Sequence, residues 1–467
     1  MIEFLPKPLQ LPLSSPIAVG IVTAGVSIGL CLMRQLLLPK PIAGIPYNAD
    51  SASSLLGDVK LIQKESPENP IAWIVKQTKR HNSPICQLFL LPFGKPCILI
   101  SDFREGQDIL MRRKEFDRSS FTIAMLGGEA PYFHANMPTG PAWRAHRELL
   151  QGLMSSDFLH SVASPNIYQS ASRLIELWTI KSQIAEPLPF AADRDIFFAA
   201  LDALYDFGYG SNAPERALIR QLEGIKGMTA REQSQLLENA TTDGGVCFPV
   251  CPIPPSMEAI LQSSNNVLPP YAVGFARLAW WLMGLNPRVR ETRNIRNHFI
   301  KGQLLKSATK MESEAAGQGT GSSGVKSAVD NIVERERLVA EKHGRPPIYC
   351  SNAIQDEVFG FVAAGHDTVS TVLCWGVKFL LDNPSAQRRL RKELQQVHKL
   401  AAAENRQPTH VEITESATPY LDAVLQEMIR LANITPLLDR ECTEDTVIFG
   451  HHVPKGQRRN LDGSVST

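Results

Sequence analysis

The hydrophobic positions of this chain recur mainly with helical spacing. The clearest case is SNAIQDEVFGFVAAGHDTVSTVLCWGVKFLLDN, from Ser351 to Asn383, where Ile354, Val358, Phe361, Thr368, Val372, Trp375 and Phe379 return at three- and four-residue steps. The pattern predicts one long helix with Asn352 and Gln355 as its capping start and Pro384 forcing its end. At about 1.5 Å per residue it would run roughly 45 Å, enough to cross a large domain.

Other stretches place further elements around this spine. Ile71 to Thr78 reads as a short helix, and Ile85 to Leu91 and Pro96 to Ser101 read as strands about a Phe93-Gly94-Lys95 turn. Asp102 is placed to cap the next helix. Gly140 and Pro141 open a helix that carries Trp143 and Arg147 one turn apart on one face. Ile167 to Ala240 is mostly helical in pattern, and CFPVCPIPPSMEAI is irregular. Arg290, Arg293, Arg296, Lys301 and Lys306 read as a solvated helix face, with docking of an electron-donating partner as the lesser alternative, and Gly317 to Gly324 as a surface loop. PSAQRRLRKELQQVHKL is a basic amphipathic helix; Thr418 and Pro419 open another, PYLDAVLQEMIRLA, with Leu421, Val424, Leu425 and Met428 as its stripe. The fold class is therefore mainly α with a small β portion.

Composition narrows the class. A chain of 467 residues with 43% hydrophobic and 20% charged residues can bury a large core, and a net charge of +1 offers nothing to a nucleic acid. Eight cysteines without paired zinc spacing indicate free thiols in a reducing compartment. Leu11 to Met33 carries no charge, long enough for an uncleaved membrane span over residues 1–38. Arg34 and Lys40 follow it and favour a cytosolic body, while Pro39, Pro41 and Pro46 stiffen a hinge over 39–50. Adjacent Trp280 and Trp281 either touch the membrane surface or pack in the core. Sequons at Asn239 and Asn433 have no role in a cytosolic body.

The centre of the long helix departs from a plain scaffold. Gly365 costs about 1 kcal/mol relative to Ala in a helix interior, and Asp367 is expensive if buried alone. Thr368 can turn its hydroxyl to the Ala364 carbonyl. Ala364 and Gly365 then leave a notch open to a flat ligand, with an acid and a hydroxyl beside it; the alternative is a core helix with a tolerated glycine. Trp143 and Arg147 can clamp a carboxylate together, or form a cation–aromatic pair. Glu427 and Arg430 make an i,i+3 ion pair on their helix.

Ala364-Gly365-His366-Asp367-Thr368 resembles the A-G-x-D-T signature of the oxygen-binding helix in the cytochrome P-450 superfamily, the haem-thiolate monooxygenases, with Val369 where a second Thr or Ser is common. Trp143 and Arg147 resemble the family's W-x-x-x-R motif, which holds a propionate of haem b, and Glu427 and Arg430 its structural E-x-x-R pair. Arg440 stands where the family places another propionate-binding arginine, and AVDNIVERERLVAEKHGRPPIYCSNAIQDEVFGF is similar to fungal members. The resemblance implies catalytic roles for Asp367 and Thr368 and cofactor contacts from Trp143, Arg147, Ala364, Gly365 and Arg440. It also implies an apolar small-molecule substrate in fungal secondary metabolism, NADPH-cytochrome P-450 reductase as electron donor, and a single-pass protein of the endoplasmic reticulum.

The resemblance covers residues 51–456 and breaks at 457–467, where QRRNLDGSVST matches nothing in the family. The expected cysteine loop is missing: Cys442 lies too early, in RECTED, so no metal ligand is assigned. Since the thiolate holds the iron and drives O–O cleavage, the sequence as it stands reads as inactive. A gene-model error, a non-catalytic remnant and a haem-free membrane-anchored binding protein are the readings left open.

Overall fold

The computed structural model describes residues 16–92, 94–210, 216–240, 245–267, 269, 275–315, 324–456 and 458–462. It divides into two units: residues 1–119 with 436–467, and residues 120–435.

The first unit begins with helix α1, Pro16–Leu37. Its side chains Val22, Val26, Ile28, Leu30 and Leu32 are exposed. Residues 11–15 of the expected span lie outside the described residues. Beyond α1 the proline-rich stretch lies along a strand: Gln87 donates through Nε2 to the carbonyls of Ile42 and Ile45 at 2.8 and 2.7 Å and accepts the Ile42 N–H at 2.8 Å. Helix α2, Pro70–Arg80, and strands β1, Ile85–Leu88, and β2, Cys97–Ile100, follow the predicted order. Asp102 caps α3, Phe103–Met111, by accepting the Glu105 N–H at 2.9 Å.

A five-stranded sheet is completed by β3, Phe116–Asp117, β4, Leu437–Cys442, and β7, Arg458–Asp462, in the order β1-β2-β7-β4-β3. Strand β7 pairs parallel to β2 and antiparallel to β4. Residues 458–462, from the stretch that matched no family pattern, thus form a strand inside the sheet. Between β4 and β7, strands β5, Thr446–Ile448, and β6, His451–Val453, form a hairpin. Ile85, Ile98, Ile100 and Ile109 make the unit's core with Cys442 and Val453.

The second unit is helical. It runs α4 Pro141–Leu149, α5 Ser164–Ala185, α6 Asp193–Tyr209, α7 Ala217–Lys226, α8 Pro255–Asn265, α9 Ala276–Leu285 and α10 Pro287–Ala315. It continues with α11 Ala328–Lys342, α12 Asn352–Asp382, α13 Pro384–Val397 and α14 Pro419–Ala432. Helix α12 is the predicted spine. Its cap is Ser351, whose hydroxyl accepts the Ile354 N–H at 3.3 Å, rather than Asn352. Ile354, Val358, Phe359 and Val362 enter one core with Leu201 and Tyr205 of α6 and Ile332 and Val333 of α11. That core holds the middle of α12 rigidly and decides which residues remain free for chemistry.

Two readings of the sequence change here. Arg296 is buried, not solvated: with Arg293 it clamps the buried Glu129, each arginine at 2.9 Å, and its guanidinium carbon sits 4.2 Å from the Phe359 ring centre. The charges are paired across elements, a relationship that the basic run alone does not reveal. The two tryptophans also divide: Trp280 donates through Nε1 to the carbonyls of Ala124 and Met125 at 3.1 and 3.2 Å, whereas Trp281 is exposed with Leu282 and Leu285. The surface loop expected at Gly317 to Gly324 falls outside the described residues except for Gly324.

Candidate functional site

Successive residues of a helix point about 100° apart, so the five-residue motif of α12 is split among different neighbours. His366 is buried against α6, its ring 5.0 Å from Phe197 edge to face, and burial keeps its pKa below the ordinary imidazole value. A Cβ on Gly365 would lie 3.1 Å from both δ-methyls of Leu204, so the missing side chain admits α6. Ala364 is exposed and forms the open part of the notch. The Thr368 hydroxyl donates back to the carbonyls of Ala364 at 3.0 Å and Gly365 at 3.3 Å, the bond anticipated from the sequence.

A cavity of about 820 Å³ opens between α4 and α12, with Ala364 and Gly365 on one wall. Leu150, Met154 and Phe361 give it apolar sides, while Arg144 and Arg147 give it a cationic edge beside His134. Arg147, Ala364 and Gly365 therefore line one cavity. Trp143 stands one turn earlier on α4, with the Arg147 guanidinium carbon 5.8 Å from its ring centre. This is the cation–aromatic arrangement, worth about 0.5–1 kcal/mol at an exposed site.

Asp367 faces elsewhere. It lines a second cavity of about 550 Å³ together with Arg194, Phe197, Ser370, Cys374 and Lys378. The acid of the motif and its Ala-Gly pair thus open onto different cavities. On α14, Glu427 and Arg430 form a bidentate pair at 2.8 and 2.8 Å, the carboxylate side more exposed than the guanidinium. Arg440 belongs to the first unit, on β4, where its Nη1 donates to the Asp439 carbonyl at 2.8 Å and burial pulls its pKa below the usual guanidinium value.

The residues that the motifs did not mark are the best-connected ones. Glu357, two turns before the notch and fully buried, accepts the His134 N–H at 2.7 Å, His134 Nδ1–H at 2.7 Å and His146 Nδ1–H at 2.8 Å. Burial alone would raise its pKa, but the bonds from His134 and His146 hold it below the usual carboxylate range. A carboxylate can only accept, so both imidazoles carry their proton on Nδ1. Asp356 accepts the Tyr132 N–H at 2.9 Å, and burial pushes its pKa up to about 6 against the pull of that bond and of Arg296. Gly360 completes the seat: a Cβ there would lie 2.4 Å from the Phe133 ring. The sign of this cluster in the sequence is the adjacent acids Asp356 and Glu357 just before the apolar run from Val358 to Ala364.

The chemistry of the larger cavity suits a bulky apolar group that carries carboxylates. Apolar walls would take the body of such a group and Arg147 with its neighbours would take the acid end, so the residues present fit haem along this side. Among the described residues no cysteine lines that cavity. Cys374 lines the other one, and Cys442 is buried in the first unit with its thiol donating to the Pro454 carbonyl at 3.1 Å.

The family profile described as cytochrome P-450 matches residues 252–459. The chain is 38% identical over 432 residues to the cytochrome P-450 monooxygenase TRI13 of Fusarium sporotrichioides, covering 92% of this chain and 73% of that protein. It is 35% identical over 431 residues to the cytochrome P-450 monooxygenase xilC of Penicillium rubens, covering 91% and 72% respectively. Among solved structures, a zebrafish cytochrome P-450 with abiraterone superposes with a TM-score of 0.54 at 18% identity, covering 85% of this chain and 77% of that one.

Proposed function

The chain belongs to the cytochrome P-450 family, and from that premise we propose that it is built for monooxygenation of an apolar small molecule in fungal secondary metabolism. The observation that carries the reading is the single cavity shared by Arg147 and the Ala364–Gly365 notch. Haem b, when bound, supplies the activation of dioxygen. Arg147, supported by Trp143, would hold a cofactor carboxylate at the cationic edge. Ala364 and Gly365 would leave room for a flat group beside the helix backbone, while Asp367 and Thr368, the positions that match the family's proton-delivering pair, would hold protons on the adjoining face of α12, where Asp367 opens on the second cavity. Arg440, in the first unit, is a cofactor-binding candidate by its match to the family pattern alone, and Glu427 with Arg430 stabilises the fold around α14.

We place none of the eight cysteines as the axial ligand, so the 467-residue chain by itself is assigned no turnover. That same observation favours the second reading, a chain that binds ligand without oxidising it. Helix α1 has 22 residues, about 33 Å of helix, and serves as a single membrane anchor in the endoplasmic reticulum with the body in the cytosol. NADPH-cytochrome P-450 reductase is the electron donor in the catalytic reading.

The experiment is a carbon monoxide difference spectrum of the reduced, haem-loaded 467-residue chain. The reading predicts bound haem without a thiolate-type band. A thiolate-type band would show that one of the eight cysteines ligates the iron and that the assignment of no turnover is wrong.

A further inference from the structure

The carboxylate of Glu357 joins three pieces of the second unit that the sequence holds far apart. It bonds His134 twice and His146 once, from separate elements, with all three distances at 2.7–2.8 Å. His146 directly precedes Arg147 on α4, and His134 itself lines the cavity with Arg147. Helix α4 is only 9 residues long, and its N-cap Gly140 supplies no side-chain hydrogen bond. Isolated helices of that length are marginal in water, so its placement depends on tertiary contacts. The Glu357 contact fixes it one residue away from the cavity's arginine.

We propose that Glu357 is the positioning residue for the cationic edge of the cofactor cavity, acting through His146 on Arg147 and directly on His134. The proposal rests on the cofactor reading above and assigns a residue that none of the sequence motifs includes. Glu357 is not among the residues that line the cavity. It sets where α4 lies along α12, and its bond to Nδ1 fixes the orientation of the His134 ring at the cavity edge. The same logic orients metal-bound histidines through a carboxylate on the far nitrogen, where loss of the carboxylate costs about 10–100-fold in affinity. Gly360 belongs to the device, because any side chain there would push out the Phe133 ring and with it His134.

The test uses the full chain with Glu357→Gln, Arg147→Ala and the double variant, each titrated with haemin and followed by Soret absorbance. Glutamine keeps the volume but cannot accept from both rings and the His134 amide as a carboxylate does. The expected result is about a tenfold loss of haemin affinity for Glu357→Gln and a clearly smaller further loss when it is added to Arg147→Ala, because part of its effect passes through that arginine and the rest through His134. Additive losses would overturn the proposal. Hydrogen exchange on the haemin-free chains separates this claim from the cofactor reading: Glu357→Gln should speed exchange over residues 132–136 and 141–149 while α13 is unchanged. If the parent chain takes up no haemin, the cofactor reading falls, and with it the role assigned to Glu357 there. If haemin binds but exchange over those segments does not move, the positioning role alone is overturned.

Discussion

Glu357 and His134 meet across 223 residues of sequence, with Glu357 Oε1 on the His134 amide and Oε2 on its Nδ1, both at 2.7 Å. Together with the His146 contact, this makes one turn of α12 the place where the walls of the large cavity are tied together. The stability and the chemistry of the second unit are therefore coupled at buried charges, and these can be tested singly.

Glu129 should be among the least replaceable acids. It is the shared partner of Arg293 and Arg296, and Arg296 is 3% exposed. Glu129→Ala leaves a buried guanidinium uncompensated, so the expected loss is about 3–5 kcal/mol. Asp382→Ala, which breaks the solvent-exposed i,i+4 pair with Lys378, should cost only about 0.3–0.5 kcal/mol. Denaturant unfolding of both variants checks the contrast, and equal losses would mean that Arg296 is solvated after all.

Gly360→Ala should be costly although alanine is the better helix former. The added Cβ would lie 2.4 Å from the Phe133 ring, an overpacking penalty of about 1–3 kcal/mol. Phe133→Leu in the same chain should recover much of that loss, and a cycle of the single and double variants measures the recovery. Independent, additive effects would place the strain elsewhere.

Asp202 gives a pH signature. It is fully buried, accepting the Ala217 and Leu218 N–H groups at 2.8 and 2.9 Å, and burial pushes its pKa up to about 7 against the pull of those bonds and of Arg216. A carboxyl whose folded pKa exceeds its unfolded value keeps its proton in the folded state where the unfolded chain has lost it. Its contribution to stability therefore falls as pH rises from about 4, the ordinary carboxylate value, to about 7. The difference in Tm between the parent chain and Asp202→Asn should shrink over that window, since asparagine has no proton to lose. A difference that stays constant with pH would mean that Asp202 is already ionised throughout.

Much of the fold was legible because it rests on local rules. The three- and four-residue steps of Ile354, Val358 and Phe361 gave α12 almost to the residue, and Asp102 announced its helix start. The motif residues were legible one by one, but not their directions: His366 and Gly365 face α6, while Asp367 opens on a separate cavity. Contacts between distant segments left almost no local trace. The basic run around Arg296 is indistinguishable from a solvated face until Glu129 and Phe359 are seen beside it, and nothing near His134 or His146 points to Glu357.

The most direct measurement is the haemin affinity of the 467-residue chain against that of Arg147→Ala. The account predicts saturable binding with a Soret shift for the parent chain and at least a tenfold weaker affinity for the variant, with their melting temperatures matched within a few degrees. A parent chain that shows no saturable Soret change, or a variant that binds haemin as tightly as the parent, would contradict the assignment of the cavity beside Ala364 and Gly365 as the cofactor site.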